Sequence, residues 1–80
     1  MRIFYFVGGP RPGQTPEFFR RLDQIGGSPA GWQIYPHCAG DGLALHVVSA
    51  ESEQLILDHL AHFTDIYDHT DIIEILAPRQ

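Results

Sequence analysis

Glycine and proline interrupt the first half of this chain so often that only short strands and one short helix fit between the breaks. Gly8-Gly9-Pro10, Gly26-Gly27, Pro29 with Gly31, and Gly40-Asp41-Gly42 each end a patterned segment. Arg2 to Val7 is aromatic and β-branched, and reads as a strand apolar on both alternating faces. After the loop Gly8 to Gln14, Thr15-Pro16-Glu17 carries a helix start: a hydroxyl for an orphan amide, a proline suited to the first turn, and an acid near the positive helix end. Phe18, Leu22 and Ile25, with Phe19 beside them, recur at helical spacing against Arg20, Arg21, Asp23 and Gln24, and Gly26-Gly27 supplies the stop. Trp32 to Cys38 has strand composition with Pro36 marking a sheet edge, Ala39 to Gly42 is a hairpin signal, and Leu43 to Val48 is the returning strand.

The second half carries fewer breaks. Ser49 is expected to cap a second helix with Glu51 and Glu53 in its first turn and Leu55, Ile56, Leu60 and Phe63 on its buried side. The helical pattern fades from Thr64 to Thr70, and Asp71 to Leu76 is predicted as a final strand. The order β-α-β-β-α-β predicts one ferredoxin-like α+β domain over residues 1–80, a four-stranded antiparallel sheet with two helices on one face.

Such a sheet leaves its second face open, and neither face of its strands is polar here. Leu43, Leu45 and Val47 alternate with Ala44, His46 and Val48, and Phe4 and Phe6 alternate with Ile3, Tyr5 and Val7. A chain of 80 residues buries only about 60 to 65 per cent of its unfolded surface. A large exposed apolar face is then best covered by a second copy, which predicts a homodimer of dimeric α+β barrel type with two-fold symmetry.

Charge and residue inventory narrow the partners. A formal charge of −5 leaves no basic stripe for a phosphate backbone or an anionic bilayer, so neither nucleic acid nor membrane is expected. All five basic residues are arginine, which removes Schiff-base and P-loop chemistry from a lone chain. The lone Cys38 and the direct run of Met1-Arg2-Ile3 into a strand agree with a cytoplasmic protein.

Strand parity supplies the candidate site. With the hairpin centred on Gly40-Asp41 or on Asp41-Gly42, Tyr35 and His37 share a face with Ala44 and His46. If Leu43, Leu45 and Val47 face the helices, then Tyr35, His37 and His46 line the dimer face, with Glu74 joining them if its strand agrees. Two imidazoles and a phenol there suit hydrogen bonding to a small-molecule oxygen, or proton transfer near neutral pH. The alternative to a binding protein is a cofactor-independent isomerase or monooxygenase acting on a small carbonyl or aromatic compound through His37 or His46. No cofactor is expected. His59, His62 and His69, with Asp58, Asp65 and Asp68, lack the spacing of a helical metal pair, so no metal site is expected. Cys38 reads as a filler, and Arg11 as a solvated loop residue or a carboxylate guard.

The ordered set Gly27-Ser28-Pro29-Ala30-Gly31, a strand ending in His37, Gly40-Asp41-Gly42, a second strand, a capped helix and Phe63-Thr64-Asp65-Ile66 resembles a family of short bacterial proteins carrying a domain of unknown function. Pro36 departs from that family's usual aromatic before the histidine, and Ile66 from its leucine. The resemblance covers roughly the whole chain and implies a ferredoxin-like fold near the dimeric α+β barrel superfamily. That superfamily includes small monooxygenases, isomerases and haem-degrading enzymes, so the likeness implies no single activity.

Overall fold

Phe4 and Phe6 decide which way the sheet faces. They are the bulkiest alternating pair on the first strand, and in the computed structural model, which describes residues 1–36 and 43–76, both are almost wholly buried. They lie on β1 (Arg2–Pro10), which pairs antiparallel with β3 (Ala44–Ala50) so that Phe4 opposes Val48 and Phe6 opposes His46. Directly opposed residues share a face. His46, Val48 and Ala50 therefore join the phenylalanines beneath the helices, in a core completed by Ile56, Leu60, Phe63, Ile66 and Tyr67.

This reverses the expected orientation of β3. Leu45 and Val47 were to face the helices; they lie on the opposite face, opposing Val7 and Tyr5. Once Phe4 and Phe6 are turned inward, the pairing leaves β3 no other parity.

Helix α1 (Thr15–Gln24) begins one residue after Gln14, with Pro16 and Glu17 in its first turn and no side-chain cap bond. Its end is a Schellman turn. Gly27 N–H donates to Leu22 O at 2.9 Å and Gly26 N–H to Asp23 O at 3.1 Å, and both glycines hold positive φ (89° and 87°). Phe18 and Leu22 pack on the core, while Phe19 stays largely exposed. Arg20 and Arg21 chelate Glu17 and hold its carboxyl down at about 2. Arg21 also reaches Asp65 at 2.7 Å, tying α1 to the segment beyond the second helix. These pairs are solvated, so they set geometry more than stability.

Helix α2 (Glu53–Leu60) starts later than expected, because β3 continues through Ser49 to Ala50 and Ser52 takes the extended capping position. It buries Ile56 and Leu60, and the 3₁₀ turn Ala61–Phe63 buries Phe63; Leu55 points to solvent. β2 (Trp32–Pro36) is the outer neighbour of β3, and the sheet runs β2-β3-β1-β4, with β5 also on β1.

The end of the chain departs from the expected single strand over 71–76. It forms β4 (Tyr67–His69) and β5 (Ile73–Ile75). Since β3 occupies one edge of β1, both share the other, with β4 opposite Gly8 to Pro10 and β5 opposite Ile3 to Tyr5. Between them the register slips by one residue. Thr70 spans the slip: its N–H donates to Val7 O at 2.8 Å and its Oγ1 accepts from Val7 N–H at 3.0 Å. The described residues form a small α+β fold with two α-helices and a five-stranded antiparallel sheet. Among the described residues, no helix is long and apolar enough to cross a membrane.

Ile56, fully buried in the core on the side of α2 that meets β3, is a direct test of this packing. Ile56→Ala is expected to lower the unfolding free energy by about 2–5 kcal/mol in a urea titration. Gly8→Ala is expected to cost about 1–3 kcal/mol, because a Cβ there would lie 2.9 Å from the Tyr67 ring and from His69 Cβ.

Candidate functional site

A histidine 5 % exposed in an aromatic core needs its nitrogens satisfied, and the core around His46 does this in a specific way. Its ring stacks on Phe6, centroids 4.6 Å apart and planes 3° from parallel. Trp32 Nε1 donates to His46 Nδ1 at 3.0 Å. On the other side, Tyr67 Oη lies 3.0 Å and Gly8 O 3.4 Å from His46 Nε2. Among the described residues no buried side-chain nitrogen or oxygen is without a partner.

The indole N–H is only a donor, so Nδ1 must present its lone pair to Trp32. A neutral imidazole then carries its proton on Nε2. That N–H is shared between Tyr67 Oη and Gly8 O, and the Tyr67 oxygen accepts. Burial pushes the His46 pKa below its ordinary value, the Gly8 carbonyl opposing this and the nearby His59 adding to it. Burial also pushes the Tyr67 hydroxyl above its ordinary value. Both groups stay uncharged at neutral pH. His46 is thus a poor general base: its one lone pair is held by Trp32.

His46 and Tyr67 form a polar wall of a cavity of about 230 Å³ between the sheet and α1, whose remaining lining is mostly apolar, including Phe18, Leu22, Ile34 and Pro36, with Thr15 as its other polar side chain. Gly8 lets the wall close, since any side chain at that position would meet Tyr67. A larger cavity of about 430 Å³ lies on the far side of Trp32, between Met1, Pro29, Val48, Leu55 and Ile56, and Glu51 is its one titratable side chain.

The structure separates the residues that parity had grouped. Tyr35 opposes Leu45 and is 44 % exposed on the uncovered face, its hydroxyl donating to Gln33 Oε1 at 2.8 Å. It does not share a face with His46, whose partner is Ile34. The physical reason is hairpin register: Pro36 pairs with Ala44, which places seven residues, 37–43, between them. An odd number inverts the parity expected from a two-residue turn. Glu74 opposes Phe4 and so does share His46's face of the sheet, but its carboxylate is held by Arg2 at 2.7 and 2.9 Å and it is not among the residues lining the cavity. His37, Cys38 and the turn Ala39 to Gly42 lie outside the described residues.

Trp32 is legible in the sequence only as part of an edge strand, and Tyr67 falls in the stretch where helical periodicity is lost. Its signal was the Ile66-Tyr67 pair standing apolar before Asp68-His69. His59 packs on the Trp32 ring, centroids 4.7 Å apart, which makes it part of the aromatic cluster. Among the described residues, no three His, Cys, Asp or Glu side chains gather as a metal site would require.

The folded His46 resists a proton that the unfolded chain accepts, so stability is complete above pH 6.5 and falls as the pH drops below it. His59, also lowered by burial and then by His62, acts in the same sense. Urea titrations from pH 7.5 to 5 are expected to show this loss, and His46→Gln to flatten it while leaving the share due to His59. An unchanged slope in that variant would show that His46 titrates normally.

No protein-family model, curated protein or solved structure matches this chain.

Proposed function

We propose that this chain is a homodimeric, small-molecule-binding protein of ferredoxin-like, dimeric α+β barrel type, with its ligand held between sheet and α1 rather than on the sheet face. The observation that carries this reading is the cavity of about 230 Å³ with one polar wall, His46 and Tyr67, and otherwise mostly apolar lining. Ligand sites combine an apolar body with a few placed polar groups. The volume suits a ligand of about one ring and a substituent, below the ~300 Å³ at which drug-sized pockets begin.

The ferredoxin-like reading treats β4 and β5 as one fourth strand interrupted by a single extra residue. Their shared edge on β1 and the two Thr70 bonds to Val7 support it. The homodimer reading rests on the uncovered face, where Ile3, Tyr5, Val47, Ile73 and Ile75 form adjacent rows and three of the five are exposed. A patch of this kind on a chain this short is a natural two-fold interface. The enzyme alternative, an isomerase or monooxygenase using His46 as base, has less support, because Trp32 already engages the imidazole lone pair.

Sedimentation equilibrium at micromolar concentration is expected to give a species of twice the 9.0 kDa chain mass, and Val47→Arg to reduce it to the monomer by placing like charges at the centre of the symmetric face. A wild-type monomer would remove the dimer from this reading. Binding is tested separately by amide shifts: small aromatic compounds are expected to perturb Gly8, Phe18, Ala44 and Tyr67, and perturbations confined to the cavity beside Met1 would place the site there instead.

A further inference from the structure

The direction of one hydrogen bond assigns the ligand class. Tyr67 Oη has a single partner among the described residues, His46 Nε2. Trp32 donates to Nδ1 of the same ring, which leaves the proton on Nε2. In that arrangement the tyrosine oxygen receives a hydrogen bond and its own proton has no protein acceptor among the described residues. The imidazole does not take it without breaking the Trp32 bond. Tyr67 lines the cavity under α1, where Phe18, Leu22, Ile34 and Pro36 offer no acceptor side chain; the Thr15 hydroxyl is the other polar side chain of the lining and makes no hydrogen bond to Tyr67.

We infer that Tyr67 is the hydrogen-bond donor of this site and that the ligand is a compact, mainly apolar molecule presenting an acceptor oxygen of carbonyl type, with Trp32 and His46 as positioning residues that fix the direction of donation. This rests on the reading of the cavity as a ligand site and adds its polarity. Accepting from His46 strengthens the tyrosine as a donor, since hydrogen bonds in a chain polarise one another. A ligand that offers only donors would leave the Tyr67 proton unpaired, and would find as acceptors only the crowded Gly8 carbonyl and the Thr15 hydroxyl. An anionic ligand would meet no charged partner among the cavity's lining residues, so a neutral carbonyl is favoured over a carboxylate.

The test uses the full chain with two probes of nearly equal shape, acetophenone and ethylbenzene, titrated while the amides of Gly8, Ala44 and Tyr67 are followed by NMR. The wild type is expected to bind acetophenone about tenfold more tightly, the equivalent of one net hydrogen bond. Tyr67→Phe keeps the ring and is expected to bring the two probes level; Trp32→Phe frees the imidazole to move its proton to Nδ1 and is expected to narrow the preference without weakening ethylbenzene. Ring nitrogen shifts of His46 are expected to report the Nε2–H form in the wild type.

Equal binding of both probes to the wild type, or a preference that survives Tyr67→Phe, overturns the inference while leaving the ligand site intact. Failure of both probes to bind at these amides overturns the ligand site and this inference with it. Should Tyr67→Phe not fold, the wild-type probe ratio and the His46 tautomer decide, and an Nδ1–H tautomer refutes the assignment.

Discussion

The pairing of Phe6 with His46 is the constraint on which the site depends. Phe6 faces the helices because the sheet can bury its largest alternating side chains only there, and the antiparallel register of β1 with β3 then carries an imidazole into the same layer. A polar ring in that position is costly unless hydrogen-bonded. The surrounding elements answer the cost from three directions. Trp32 arrives from β2, Tyr67 from the start of β4, and the Gly8 carbonyl from β1 itself. The three meet at one ring, so the packing of the sheet edge and the geometry of the candidate site are the same set of contacts.

This arrangement settles what His46 can do chemically. A histidine at the sheet surface would offer a lone pair and titrate near neutral pH. Buried between an indole donor and a phenol, it is held neutral, in one tautomer, and its proton points at Tyr67. The chemistry at the cavity wall therefore passes from the imidazole to the phenol, and from proton transfer to hydrogen-bond donation. The aromatic cluster reinforces this: Trp32 is packed edge-on to Phe6 and faces His59, so the indole has little freedom to rotate its N–H away from Nδ1.

Much of the architecture was legible in the sequence because local chemistry and tertiary packing agree there. The Gly26-Gly27 stop, the proline and acid opening α1 and the strand composition of Arg2 to Val7 all report backbone preferences that the fold keeps. What was not legible depends on register. The hairpin between β2 and β3 has a glycine-rich sequence compatible with several loop lengths, and a change of one residue exchanges the faces of a strand. That parity grouped His46 with Tyr35, while the separate expectation that Leu45 and Val47 face the helices put His46 on the open face; the β1–β3 register overturns the second. The slip between β4 and β5 is equally hidden, since Thr70 holds it through a side-chain oxygen that mimics a backbone acceptor. Tyr67 could not be read as a site residue until that segment was seen to return along β1.

The same parity assigns different work to the two faces of the sheet. Inward residues of β1 and β3 are occupied with the core and the cavity; outward residues Ile3, Tyr5, Val7, Leu45 and Val47 lie on the opposite face, outside the core cluster. In so short a chain one apolar face cannot serve both the core and a partner, and here it does not have to. A second copy seated on the outer face would reach the sheet backbone without touching Trp32, His46 or Tyr67 side chains, which project the other way. Dimerisation would then stiffen the strands that carry the site without entering it. Association and ligand binding are coupled only through the common sheet, so substitutions on the outer face should change subunit affinity strongly and ligand polarity preference hardly at all.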